Sequence, residues 1–243
     1  MPRSGSTPTV RRGPGARSAA RSEATRRHLD ANRAHWDDAA RLHPDTDFYA
    51  KQLALIRAGG TTLHEFELES VGDVRGRSLL HLQSHIGTET LSWAAQGAQV
   101  TAVDFSAEAL RRLRSYAAEL GLTVRCIESA LHELPQRLDE SFDVVYTSWG
   151  VLGWQPDLWE WAEVAARYVR QGGLLYIAEL HPVMWLLDED APGPVLKYSY
   201  FQEAPFIDES QGSYADREAV LEHPLRYGWE VPLGDVVTAL VDA

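Results

Sequence analysis

"LLHLQSHIGTETLSWAAQGAQVTAVDFS", residues 79–106, decides how the chain is read. The opening apolar run is too short for a helix and reads as a strand. A tight loop follows, Gln83-Ser84-His85-Ile86-Gly87. "GTETLSWAAQG" then predicts a helix stopped by Gly97, and "AQVTAVD" predicts a second strand that ends on Asp104. Strand, loop, helix and strand in that order build parallel pairing through a crossover. Ligands of open α/β sheets sit at the carboxyl ends of such strands. Yet this loop holds one glycine where a dinucleotide loop holds three.

The rhythm continues outward. "SAEALRRLRSYAAELG" predicts a helix with Ser106 as its N-cap, Glu108 in its first turn and Gly121 at its stop. "LTVRCIES" and "SFDVVYTSW" predict strands three and four. "QPDLWEWAEVAARYVRQGG" predicts a helix with Pro156 near its start and Gly172 after its end, and "LLYIAEL" a fifth strand. The strands are apolar almost throughout, as in a sheet covered on both faces. The predicted fold is therefore α/β: a Rossmann-like, doubly wound, mainly parallel sheet with helices on both faces. The core covers residues 77–180. Residues 28–76 form an N-terminal helical cap. Residues 181–228 break the pattern and read as a lid-like insertion, and 229–243 as a final core helix.

Composition narrows the partners. The 243 residues are 44% hydrophobic and include eight Trp, which indicates a packed globule. The net charge of -12 disfavours nucleic acid. Residues 1–27 run against this trend, with seven Arg and one Glu, and their Arg-, Ser-, Gly- and Pro-rich composition predicts a disordered tail. The single Cys126 excludes a disulfide framework within the chain and fits a reducing cytoplasm. No run is long and apolar enough to span a membrane, and no His/Cys cluster has metal-ligand spacing.

The loop selects the ligand. A pyrophosphate needs glycines so that backbone can close on it. Gln83, Ser84 and His85 place side chains there instead. Asp104, seventeen residues after Gly87, can still accept hydrogen bonds from a ribose diol. A ligand with a ribose and no phosphate fits, and S-adenosylmethionine is such a ligand. Gly87 is expected to supply one close backbone approach.

Together with "FDVVYTSWGVLGWQPDLWEWAEVAARYVRQGGLLYIAELHP", residues 79–106 resemble the class I S-adenosylmethionine-dependent methyltransferases. The similarity is greatest to a bacterial branch whose first motif reads H-L-Q-C-H-x-G-x-D-T-L-S. His81, Leu82, Gln83, His85, Gly87, Thr90, Leu91 and Ser92 fall on that pattern, while Ser84 replaces Cys and Glu89 replaces Asp. The resemblance implies that Gln83, Ser84, His85 and Gly87 line the methionine end and sulfonium. Asp104 would hold the ribose, with Phe105 against the adenine. Ser129, Ala130 and Leu131 would edge the adenine ring, although relatives often carry an acid near Ala130. Thr147 at the fourth strand's exit would face the transferable methyl.

In-line methyl transfer needs an aligned nucleophile, excluded water and, for many acceptors, a proton acceptor. Aromatic faces stabilise a sulfonium, and Tyr49 and Trp149 are candidates. His181, in "ELHP" after strand five, is the candidate general base because a histidine titrates near neutral pH. Trp36, His43 and Tyr49 form either a lid over the site or ordinary helix packing. Trp154, Trp159 and Trp161 read as packing for the fourth crossover helix.

The expected activity is methyl transfer to a small-molecule acceptor, with S-adenosylhomocysteine as product, and the resemblance to that branch implies secondary metabolism as context. The alternatives are a nicotinamide oxidoreductase and a catalytically silent cofactor-binding or partner protein. The resemblance also implies two more strands after "GDVVTALVDA". Their apparent lack leaves an exposed edge, which predicts a homodimer.

Overall fold

The computed structural model describes residues 23–188, 191–202 and 204–243. Five parallel strands form one sheet: β1 Ser78–Leu82, β2 Gln99–Asp104, β3 Val124–Glu128, β4 Phe142–Ser148 and β5 Val169–Ala178, in the order β3-β2-β1-β4-β5. The chain reverses direction across the sheet beside β1, so the exits of β1 and β4 flank the switch point. Helices α1 Glu23–Leu42, α2 Asp47–Arg57 and α3 Glu65–Val71 precede the sheet. Helices α4 Thr88–Ala95, α5 Ala107–Glu119 and α6 Leu158–Arg167 connect its strands, and α7 Leu233–Asp242 follows. The predicted fold class is the one observed.

The period-two rule divides the core. Leu80, Leu82 and Val145 face α6 and α7, where Trp161, Ala162, Val236 and Ala239 close one layer. Leu79, Val144 and Tyr146 face the opposite way, against Val71 of α3 and Trp93 of α4. Ala102 on β2 packs with Leu91, Leu110 and Leu113 of α4 and α5. Inside the Tyr146 layer lies a buried carboxylate. Glu67 accepts the Tyr146 hydroxyl at 2.6 Å and the His64 backbone N–H at 2.7 Å, so α3 is pinned to β4 by a satisfied polar pair.

Two boundaries differ from expectation. The first described residues, 23–27, assigned to the tail by composition, are the opening of α1; residues 1–22 lie outside the described residues. The fourth crossover helix ends at Arg167, and β5 starts at Val169. Gly172 and Gly173 are therefore a strand irregularity and not a helix stop. Gly172 has φ +76°, and a Cβ on Gly173 would fall 3.0 Å from the Phe142 carbonyl oxygen, beside the register shift between Phe142 and Val144.

The 181–228 segment is mostly irregular. It contains a short antiparallel pair, β6 Phe206–Asp208 and β7 Arg226–Gly228, and it folds back onto α1. Asn32 clamps β7 by two bonds: its Nδ2 donates to the Tyr227 carbonyl at 2.8 Å, and its Oδ1 accepts the Tyr227 N–H at 2.7 Å. The His28 ring stacks on Tyr227 at 4.0 Å. Asp38 accepts the His223 N–H at 2.6 Å. None of the described helices is long and apolar enough to cross a membrane.

Replacing Glu67 with alanine strips the buried Tyr146 hydroxyl of its partner. The expected loss is about 2–3 kcal/mol of unfolding free energy in a denaturant titration. A loss below about 1 kcal/mol would show that this pair does not anchor α3.

Candidate active site

The loop after β1 is held in an unusual shape. Gln83, His85 and Gly87 all have left-handed backbones, with φ of +57°, +49° and +76°. The two non-glycine residues cost about 1–2 kcal/mol each. Three bonds hold the loop. Ser84 N–H donates to Val103 O at 3.0 Å, Gly87 N–H to Ser84 O at 3.0 Å, and His85 N–H to Asp104 Oδ2 at 2.8 Å. The other Asp104 oxygen accepts Ser106 N–H at 2.8 Å. Ser106 caps α5 as expected, by accepting from Ala109 N–H, while its hydroxyl donates to Asp37 of α1 at 2.6 Å. Burial pushes the Asp104 carboxyl up to about 6, against the pull of its backbone donors.

A cleft of about 680 Å³ opens at the carboxyl ends of the strands, within the range of small-molecule sites. Six of the residues picked out in the sequence line it: Gln83, Asp104, Phe105, Ser129, Ala130 and Leu131. Helix α1 supplies the facing wall through Arg26, Asn32 and Arg33, and Trp154 closes one side. A smaller hollow of about 280 Å³ near Gly72 and Trp93 lies before β1, away from the strand exits.

Gln83 touches the cleft, but its amide is committed: Nε2 donates to Val151 O at 2.9 Å and Oε1 accepts from Trp161 Nε1 at 3.2 Å. Thr147 is fully buried and its hydroxyl donates to Leu82 O at 3.3 Å, so it ties β4 to β1. Gly87 is not among the residues that line the cleft. It is buried at the start of α4, and a Cβ there would fall 2.6 Å from Leu113 Cδ1, so the missing side chain makes room for α5. His181 is exposed, and its Nδ1 accepts Val183 N–H at 3.2 Å as the cap of a short 3-10 turn. The nitrogen a general base would use is thus engaged, and His181 does not line the cleft.

Trp36, His43, Tyr49 and His85 do come together, in an aromatic layer behind the loop. His43 stacks on Tyr49 at 4.9 Å, and Trp36 sits edge-on to His85 and to Trp154, each at 5.1 Å. Tyr214 of the 181–228 segment joins this layer by pairing its hydroxyl with that of Tyr49. Burial raises the pKa of both phenols, so both are neutral. Burial also raises the Glu89 carboxyl, whose field in turn acts on Tyr49 and Tyr214. Ser84 Oγ is buried without a hydrogen-bond partner. Trp154, read as helix packing, is cleft wall; Trp149 packs on His64 and Phe66, outside the cleft lining.

One organising residue carries no motif. Glu179, at the exit of β5, accepts backbone N–H groups from Gly150 at 2.5 Å, Val151 at 2.8 Å, Leu152 at 3.0 Å and Leu180 at 2.7 Å. It shapes the loop after β4, and Val151 in turn holds Gln83. The adjacent "LHP" drew attention to His181, whereas the carboxylate one position before Leu180 does the structural work.

Three comparisons bear on this geometry. Residues 80–177 match the family model described as a methyltransferase domain. The chain is 32% identical over 117 residues to the "Uncharacterized methyltransferase YbaJ" of Bacillus subtilis, covering 48% of this chain and 46% of that one. It is 30% identical over 125 residues to the ubiquinone biosynthesis O-methyltransferase of Sodalis glossinidius, covering 51% and 50%. The chain thus spans about half the length of the curated relatives it matches. Among solved structures, DhpI in complex with SAH aligns with a TM-score of 0.54 at 18% identity, over 88% of this chain and 87% of that one. A structure described as a putative S-adenosylmethionine-dependent methyltransferase from Listeria monocytogenes also aligns at 0.54, with 16% identity, over 77% and 81%. The fold is that of the Rossmann-like methyltransferases.

Glu179→Ala would release three amides of the β4 loop. Hydrogen exchange at Gly150–Leu152 is expected to accelerate by about tenfold or more. Unchanged protection would mean that other contacts hold the loop.

Proposed function

We propose that the protein is an S-adenosylmethionine-dependent methyltransferase that acts on a small-molecule acceptor. The carrying observation is Asp104: a buried acid at the exit of β2, facing a cleft of fitting size, inside the segment that matches a methyltransferase domain. Each of its oxygens accepts one backbone N–H and keeps a further lone pair for a ribose hydroxyl. The residues fit the cofactor in a second way. The unpartnered Ser84 hydroxyl is a buried polar atom in the loop assigned to the methionine end.

When bound, the cofactor supplies an electrophilic methyl on its sulfonium. The chain's own work is to bind, orient and exclude water. Phe105 and Leu131 offer apolar surface to the adenine, with Ser129 and Ala130 at its edge. No acid stands at Ala130. Trp36 and Tyr49 supply aromatic faces behind the loop. The net charge of -12 supports a small acceptor over a nucleic acid. The branch-specific first motif, with Ser84 and Glu89 at its two departures, supports the same reading. A nicotinamide cofactor fits less well, because Gln83, Ser84 and His85 carry side chains where a pyrophosphate needs bare backbone.

Calorimetric titration tests the proposal. S-adenosylhomocysteine is expected to bind at pH 7.5 and NADH is not; the reverse result would sink the reading. Asp104→Ala should abolish binding. Protonation of Asp104 removes its acceptor role, so affinity should fall about tenfold between pH 7 and pH 5. The sign is specific. A carboxyl with a raised pKa gains stability for the fold as it protonates, so this loss is not unfolding driven by Asp104. Affinity that stays flat across this range would remove Asp104 from the ribose site.

A further inference from the structure

Behind the loop runs a chain of three hydrogen-bonded side chains that the proposed transfer has not used. Ser213 Oγ lies 3.2 Å from His43 Nε2, and His43 Nδ1 lies 2.7 Å from His85 Nε2. His43 is fully buried, and burial lowers its pKa to about 3. Burial and the neighbouring His43 hold His85 well below the usual histidine range. Both imidazoles are neutral at pH 7, so each has one N–H and one lone pair.

The outer end of the chain sets its direction. Ser213 Oγ accepts the backbone N–H of Ala215 and shares that of Asp216 with its own carbonyl oxygen, each contact at 3.2 Å. A hydroxyl has two lone pairs and one hydrogen. With both lone pairs engaged, Ser213 has its hydrogen left to donate to His43 Nε2. His43 then carries its proton on Nδ1 and donates to His85 Nε2. The His85 proton is left on Nδ1. The opposite direction would place three N–H groups on one hydroxyl oxygen and strand its hydrogen.

The His85 main chain is equally fixed, by a left-handed φ of +49° and the bond from its N–H to Asp104. Its Nδ1 bonds to no group among the described residues. Beside it, the Ser84 hydroxyl is buried and also unpartnered. The His85 Nδ1–H and the Ser84 hydroxyl can both donate, which suits an oxygen-rich, anionic ligand group. We propose that Ser213 and His43 are positioning residues that lock His85 as an Nδ1–H donor to a ligand carboxylate. Docking of the segment that carries Ser213 thereby sets the polarity of the site. His85 binds and orients and takes no proton from the acceptor. The inference rests on the methyltransferase reading for the ligand: the carboxylate belongs either to the amino acid end of the cofactor or to the acceptor.

Long-range ¹H–¹⁵N spectra of the full chain labelled at histidine test the lock. With and without S-adenosylhomocysteine, His43 and His85 should both be neutral Nδ1–H tautomers at pH 7. In Ser213→Ala, His85 should become a mixture that includes the Nε2–H form. An Nε2–H tautomer of His85 in the unmodified chain, or one indifferent to Ser213→Ala, overturns the proposal. Calorimetry on His85→Phe then identifies the carboxylate. A loss of about tenfold or more for S-adenosylhomocysteine, with none for its decarboxylated analogue, assigns it to the cofactor. With the tautomers as expected, unchanged affinity for both assigns it to the acceptor. If the unmodified chain fails to bind S-adenosylhomocysteine, the methyltransferase reading falls, while the spectra of the free protein still decide the direction of the chain.

Discussion

The carboxylate of Asp104 is the point through which the loop, the second strand and the first helix are joined. It takes His85 N–H on one oxygen and Ser106 N–H on the other. The first bond holds a loop whose left-handed residues would otherwise relax. The second sets the start of α5, which Asp37 of α1 completes by accepting from the Ser106 hydroxyl and the Glu108 N–H. Asp104 remains costly. A carboxyl held at about 6 gives up roughly 3 kcal/mol of stability at neutral pH relative to an ordinary one. Such a cost marks a functional site more often than a structural one.

The same logic runs through the aromatic layer. Outside that layer, against Tyr146, His81 is bonded to Thr90 and buried, and it is held at about 3, as His43 is. Neutral imidazoles serve a crowded interior because each can donate and accept without carrying charge. Beside His43, the hydroxyls of Tyr49 and Tyr214 pair with each other. The interior behind the loop is therefore polar but uncharged at His43, His85 and the two phenols.

Much of this architecture is legible in the sequence, because period-two burial and helix caps are local. Leu79–Leu82, Gln99–Asp104 and the Ser106 cap needed only their neighbours to be read. The acid at Asp104 was legible for the same reason: it ends a strand. Errors arose where local signals are ambiguous. Gly172 reads as a helix stop, but it takes a left-handed turn inside β5, and Gly173 beside it avoids the carbonyls of β4. Gly87 reads as a ligand contact, but Leu113 occupies the space its side chain would need. His181 has the right residue type at the right edge, but its ring caps its own turn. No pattern announces Glu179, because its acceptor role depends on a loop about thirty residues earlier.

The least legible contacts are those that close the cleft. Asn32 recognises Tyr227 through main-chain atoms alone, so the Tyr227 side chain carries no trace of that clamp. Asp38 grips His223 partly through its backbone N–H, and Trp229 donates its N–H to Gly153 O at 2.8 Å. All three contacts span large separations in sequence, so their ordering cost is met only once the sheet exists. They also share one consequence. The face of α1 that walls the cleft is held by the segment that carries Ser213 and Tyr214. Wall, aromatic layer and histidine chain therefore form together, and a change in how that segment docks reaches the cleft through α1 and His85 at once.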